Sequence, residues 1–155
     1  MAKHLIGVIS DTHGLLRPEA IELLAGVELI LHAGDVGDPQ VLEDLRSVVP
    51  VVAVRGNVDK GAWADALPLY ELIEVGSVSV YMLHDVKEID LVPAAVGFRV
   101  VVSGHTHQPS VKTSKGVLYL NPGSAGRRRF KLPVSIAYLT VSGDNVDARI
   151  VELSV

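Results

Sequence analysis

Five short apolar runs, each ending at a residue that binds metals, constrain this chain more than any other feature. Residues 5–9 run into Ser10-Asp11-Thr12-His13-Gly14, and residues 29–31 into His32-Ala33-Gly34-Asp35. Residues 51–54 run into Arg55-Gly56-Asn57, residues 78–83 into His84, and residues 100–102 into Ser103-Gly104-His105-Thr106-His107. Short continuous apolar runs suit strands buried on both faces. In an open α/β sheet the carboxyl ends of such strands share one crevice, where ligands bind. Two Asp, four His and one Asn are therefore expected in a single pocket, a donor set suited to two divalent ions.

The 155 residues are expected to form one domain, 1–155, large enough to bury a core without covalent staples. There is no cysteine, which excludes disulfides, thiolate metal sites and cysteine nucleophiles. The formal net charge of -4 argues against bulk nucleic-acid binding, yet leaves room for a small phosphorylated substrate at a local positive site. No run approaches the roughly 18 apolar residues of a membrane span. Met1-Ala2-Lys3-His4 leads straight into the strand that carries Asp11 and His13. Cleavage of a leader there would remove the site, so a cytoplasmic location without membrane attachment is expected.

A β-α-β-α-β rhythm fills the first half. Strands are expected at 4–10, 28–33 and 51–55. Between them lie helices at 18–25, opened by Pro18 and stopped by Gly26, and from Pro39 onward, capped by Asp38. That order predicts parallel strands with right-handed crossovers. The second half reads as hairpins at 69–84, 111–121 and 135–153, a strand at 99–103, and a short helix at 90–96 with Gly97 as its C-cap. Parallel units followed by hairpins suggest two mixed sheets packed face to face with helices outside.

Asp11-x-His13, Gly34-Asp35, Gly56-Asn57 and Gly104-His105-x-His107 are each commonplace when taken singly. A helix cap or a turn explains any one of them. Four of the six histidines falling at strand ends, together with two Asp and an Asn, needs one explanation, because an apolar chain loses free energy by desolvating so many polar groups together. In that order, and with His84 between the last two, the motifs resemble the calcineurin-like metallophosphoesterases. The chain length and Asn121-Pro122-Gly123-Ser124 resemble the small prokaryotic phosphodiesterases among them.

The resemblance implies an α/β fold, a four-layer α-β-β-α sandwich of two mixed β-sheets flanked by helices. It implies two divalent transition-metal ions per chain, manganese foremost, with iron, nickel, cobalt or zinc as alternatives. Asp11, His13, Asp35 and His107 would hold one ion, and Asp35, Asn57, His84 and His105 the other, with Asp35 bridging. A hydroxide between the ions would attack phosphorus in line, and Asn57 would also contact the phosphate. A small phosphodiester or nucleotide-type substrate follows, with a homo-oligomer as a further expectation. The rival implied by the same resemblance is a non-catalytic protein-binding scaffold, as in the retromer-subunit relatives.

Two positions depart from the pattern. Val58 stands where larger relatives carry the histidine that protonates the leaving oxygen, and Asp85 stands where Gly usually follows the His84 equivalent. Asp59 is expected to support the ligands from behind, and Arg127, in the run Arg127-Arg128-Arg129, to contact substrate. His32 is expected to be a satisfied, partly buried histidine and His4 a solvated one. Trp63 is expected in a loop, packed on the core or closing over substrate.

Overall fold

The structure is a computed structural model describing residues 3–155. Two five-stranded sheets pack face to face. The first contains β1 (Lys3–Ile9), β2 (Leu29–His32), β3 (Val51–Ala53), β9 (Ser135–Ser142) and β10 (Asn145–Glu152), in the order β10-β9-β1-β2-β3. Here β1, β2 and β3 run parallel, as the β-α-β-α-β rhythm predicts, while β9 pairs antiparallel with both β1 and β10. The second sheet contains β4 (Tyr70–Val75), β5 (Val78–Leu83), β6 (Phe98–Val102), β7 (Ser110–Ser114) and β8 (Val117–Asn121), in the order β4-β5-β6-β8-β7. Its centre, β5-β6-β8, is parallel and its edges are antiparallel hairpin partners. The fold is thus the expected α/β sandwich of two mixed sheets.

Side-chain alternation along each strand divides the core. Ile6, Val8 and Leu31 of the first sheet meet Val80, Met82, Val100, Val102 and Leu120 of the second. Ile9 and Ile30 point the other way, onto α1 (Pro18–Leu24) and α2 (Pro39–Arg46), which contribute Ala20, Leu24, Leu42 and Leu45. Both helices begin with Pro at the first turn, where its missing N–H costs nothing. Asp38 caps α2, its side chain accepting from the Gln40 N–H at 2.9 Å. A third short helix, α3 (Ala62–Asp65), replaces the loop expected around Trp63, and Trp63 packs against this helical side of the core.

The outer face of the second sheet departs from expectation. The anticipated helix at 90–96 is a single 3₁₀ turn, Pro93–Val96, preceded by another 3₁₀ turn at Val86–Glu88. Pro93 drives Val92 into extended backbone (φ -100°, ψ 105°), and Gly97 ends the turn in the left-handed region at φ 85°. Only one turn fits between those two stops. Val86, Ile89, Leu91 and Phe98 then cover Tyr81, Leu83, Val101 and Val117, so this outer layer is thinner than the helical one.

Candidate metal centre

Five strands from both sheets end at one place. Asp11 and His13 follow β1, Asp35 follows β2, Asn57 follows β3, His84 follows β5, and His105 and His107 follow β6. The His13 and His107 Nε2 atoms lie 3.3 Å apart. Asp35 Oδ2 is 3.7 Å from His13 Nε2 and 3.2 Å from His84 Nε2, so one oxygen touches both halves of the cluster. Asn57 Oδ1 lies 2.9 Å from His84 Nε2 and 3.2 Å from His105 Nδ1. All seven sequence-selected side chains therefore meet.

Their backbone is unusual. Seven non-glycine residues among those described have positive φ, and five belong to this cluster: Asp11 (55°), His13 (47°), Asp35 (55°), His105 (73°) and His107 (64°). A left-handed residue with a Cβ costs about 1 kcal/mol or more, and such strain collects at functional sites. Here it turns the chain sharply at the ends of β1, β2 and β6 and aims the side chains inward. Two neighbouring glycines permit the crowding. A Cβ on Gly56 would collide with the Asp35 backbone N and Oδ1, and one on Gly104 with Ser10 Oγ and, at 2.6 Å, with Asp11 Oδ2.

The donor set fits metal ions. Asp11 is fully buried, and its Oδ2 accepts from the Ser10 hydroxyl at 2.7 Å and the His105 N–H at 3.0 Å. Its Oδ1 has no hydrogen-bond partner among the described residues. That oxygen instead faces three imidazole nitrogens: Nε2 of His107 at 3.4 Å, His13 at 3.8 Å and His84 at 3.9 Å. These gaps are long for hydrogen bonds but match neighbouring ligand atoms around an ion bound at about 2.0–2.2 Å. Asp11, His13 and His107 form one group that can hold an ion, and Asp11, Asp35 and His84 another.

The electrostatics follow from proximity. Burial alone would raise the Asp35 pKa. The hydrogen bond with His84, the Val58 N–H donated to Asp35 Oδ1 at 3.0 Å, and the charges of His84 and His13 outweigh it and hold the carboxyl at about 2. Burial opposes charge on His84, but Asp35 and Asp11 overcome it and raise its pKa. The cluster thus keeps its carboxylate ready to accept a cation.

His32 is wholly buried, more so than expected, and its pKa falls to about 4, chiefly through burial. The Gly34 N–H donates to Nδ1 at 3.1 Å, so the ring proton sits on Nε2, which donates to Thr12 Oγ1 at 3.0 Å. The Thr12 hydroxyl in turn donates to the Val36 carbonyl at 2.9 Å. The neutral ring braces the loops after β1 and β2. His4 is not freely solvated, since Nδ1 meets Glu28 at 3.1 Å.

Asp59 is buried and accepts three backbone N–H groups: Val36 at 3.2 Å, Gly37 at 2.9 Å and Gly56 at 2.8 Å. It ties the loop carrying Asp35 to the turn carrying Asn57. Asp85 lies 3.8 Å from His105 Nε2, and its Oδ1 accepts from the Lys87 N–H at 3.1 Å. Arg127 is exposed and follows Gly126, whose backbone lies against the Asp11 and Thr12 carbonyls and whose own carbonyl accepts from Arg17 at 3.2 Å. The cation that lines the cavity next to Asn57 and His105 is Arg55, which the sequence marks only as the end of a strand.

The profile of the calcineurin-like phosphoesterase superfamily domain matches residues 5–144. The chain belongs to that superfamily. A protein of Methanothermobacter thermautotrophicus named probable metallophosphoesterase is 38% identical over 159 residues, covering 95% of this chain and 91% of the relative. Among solved structures, Vps29 of Chaetomium thermophilum superposes with a TM-score of 0.79 at 23% identity, covering 96% of this chain and 97% of that one. An archaeal phosphodiesterase superposes with a TM-score of 0.73 at 22% identity, covering 95% and 99%. At those identities the two structures show a shared fold. Metal-dependent phosphoester hydrolysis is the chemistry of the superfamily to which this sequence belongs.

Proposed function

We propose that this protein is a phosphodiesterase with two divalent ions. Asp11, His13, Asp35 and His107 would hold one, and Asp35, Asn57, His84 and His105 the other. The observation that carries this reading is Asp11 Oδ1, a fully buried oxygen without a hydrogen-bond donor, facing three imidazole nitrogens in a nest of left-handed residues. A donor set of imidazole, carboxylate and amide oxygen without thiolate suits manganese, iron, nickel, cobalt or zinc alike, and manganese is put first only on the family resemblance. When bound, the ions supply Lewis acidity that activates water and neutralises charge on the phosphoryl oxygens.

The protein's own groups position and orient. Asn57 directs Oδ1 into the cluster, leaving its amide N–H groups to donate to a phosphate oxygen. Asp59 fixes the separation of Asp35 and Asn57 through three backbone donors. Arg127 would contact a substrate phosphate from the loop that packs on Thr12. Val58 offers no proton for the departing oxygen, so substrates with good leaving groups are favoured. A diester suits such a site because it needs no second anionic oxygen neutralised. The archaeal phosphodiesterase with the same fold supports that choice.

The scaffold reading keeps one specific support. Leu69, Tyr70 and Leu72, on and beside the edge strand β4, are all at least half exposed, and Vps29 shares the fold. The deciding experiment measures metal content and then hydrolysis of bis(p-nitrophenyl) phosphate and p-nitrophenyl phosphate. Activity lost to a chelator, restored by manganese, and about tenfold higher in kcat/KM for the diester is expected. A folded protein that retains two ions and cleaves neither ester would make the scaffold the better reading.

A further inference from the structure

A cavity of about 400 Å³ opens beside the ligand cluster, with Asn57, His84 and His105 at its inner end. Tyr70, Tyr81 and Asp90 mark the other end, because they also border a neighbouring cavity that none of the seven ligand residues touches. Tyr81 is buried and stacks on Phe98, with ring centroids 5.2 Å apart and planes 11° from parallel. Tyr70 is largely exposed and tilts towards Tyr81 at 5.9 Å. One ring is therefore backed by protein and the other stands open to solvent at the cavity's mouth.

The charges in this cavity are lopsided. Asp85, Glu88 and Asp90 line it, while Lys87 on the same 3₁₀ turn does not. The one lining cation, Arg55, is engaged by Asp65 at 3.3 Å. Away from the cluster the walls are thus aromatic and acidic, a combination that attracts an organic cation through both ring faces and carboxylates. At the inner end, ions held by the cluster would attract a phosphate. A phosphodiester suited to both ends carries its anion inward and an ammonium group outward.

Building on the phosphodiesterase reading, we propose that this cavity is the subsite for the departing arm of the substrate. It selects a compact alcohol or phenol bearing an ammonium group over one bearing a further phosphate or carboxylate. In the reaction, water adds across the P–O bond of that arm. The water oxygen bonds to phosphorus, the arm leaves with the bridging oxygen and a proton, and a phosphomonoester remains. Asp85, Glu88 and Asp90 select, and Tyr70 and Tyr81 hold the body of the arm.

The test uses three phenols of like size and acidity: tyramine (cationic), 4-ethylphenol (neutral) and 3-(4-hydroxyphenyl)propanoate (anionic). Their binding to the metal-stripped full chain is followed through the ring resonances of Tyr70 and Tyr81. The methyl phosphodiester of each is then assayed with the manganese-loaded chain. Tyramine is expected to bind about fivefold or more tighter than the propanoate, with shifts centred on those two rings. The double variant Glu88→Gln/Asp90→Asn, which alters exposed residues outside the ligand set, should bring the three within about twofold. kcat/KM should follow the same order. Equal binding of the three phenols, a ranking that survives in the double variant, or shifts centred elsewhere would overturn the subsite. Cleavage of all three diesters at one rate would also overturn it while leaving the phosphodiesterase reading intact. The expected binding order without hydrolysis of any diester would support the subsite and remove the phosphodiesterase reading.

Discussion

Removing Asp59 should show whether the two ligand loops are held in register from behind. Asp59→Ala deletes the acceptor for the Val36, Gly37 and Gly56 N–H groups, at 3.2, 2.9 and 2.8 Å. Hydrogen bonds to a charged acceptor contribute about 1.5–3 kcal/mol each, and a buried donor left alone costs about 1–3 kcal/mol. Water reaches the partly buried Gly37 donor, and the variant no longer desolvates a carboxylate. Those two offsets leave a net loss of roughly 3–5 kcal/mol, a large share of the about 5–15 kcal/mol that stabilises a domain.

The consequence for metal binding follows from position. Val36 and Gly37 come directly after Asp35, and Gly56 directly before Asn57, so a loosened triad lets two ligands drift. Partners that orient ligands change metal affinity by about 10–100-fold when lost. Urea unfolding of the metal-free chain gives the stability term, and calorimetric titration with manganese gives the affinity. Asp59→Asn keeps the volume but turns amide hydrogens towards backbone donors, and should show both effects at reduced size if the alanine variant does not fold. Asp38→Ala is the control, an exposed cap whose loss costs about 1 kcal/mol and leaves metal affinity alone. An Asp59→Ala protein within about 1 kcal/mol of the parent, with unchanged manganese affinity, would reduce Asp59 to an ordinary turn residue.

Three more outcomes are expected. Gly104→Ala forces a Cβ against Ser10 Oγ and Asp11 Oδ2, so it should destabilise the metal-free chain by roughly 1–3 kcal/mol in urea and weaken metal binding with it. His32 has its folded pKa lowered from 6.5 to about 4. Its neutral form therefore contributes stability in full above pH 6.5, and the contribution falls by roughly 3 kcal/mol as pH drops to 4. A proton NMR titration placing the His32 ring near 6.5 would refute that account. Val58→His places an imidazole at a partly exposed position whose N–H already fixes Asp35. It should raise kcat on alkyl diesters by up to roughly 10²–10⁴-fold while changing p-nitrophenyl esters little, because only poor leaving groups need the proton.

Much of this site was legible because strand burial and metal-seeking chemistry leave opposite marks in a sequence. An apolar run such as 100–102 tolerates few polar residues, so His105 and His107 stand out at its end. Asp59 was legible by its offset from Asn57, although the identity of its three donors was not. The left-handed torsions of Asp11, His13 and Asp35 leave only a weak mark in the sequence, since Asp and His enter that region more readily than most residues yet also sit in ordinary turns. The 90–96 segment misled because Pro93 and Gly97 are sound helix boundaries, but so close together that a 3₁₀ turn fills the gap. The cavity was hidden for another reason. Tyr70 and Tyr81 meet through the β4–β5 register, and Asp90 joins them from a loop whose path no local pattern fixes.

The strain in the ligand loops also bears on how the site holds together. The Asp11 N–H donates to the Gly34 carbonyl at 3.0 Å, and the His13 N–H to the Asp35 carbonyl at 3.0 Å. The Gly104 N–H donates to the His84 carbonyl at 2.9 Å, and the His105 N–H to Asp11 Oδ2 at 3.0 Å. The segments carrying Asp11, His13, Asp35, His84 and His105 therefore hold one another directly, in addition to the braces supplied by Asp59 and His32. Left-handed residues persist only where their surroundings over-determine them, and here those surroundings include the site itself. Such a network holds the side chains in place ahead of any ion, so binding need not order the loops. It also couples the ligands, because a change at Gly104 loosens Asp11 and, through the Gly34 carbonyl, the segment leading to Asp35. Substitutions at two ligand loops should for that reason be less than additive in their effect on stability, as residues sharing one hydrogen-bond network are.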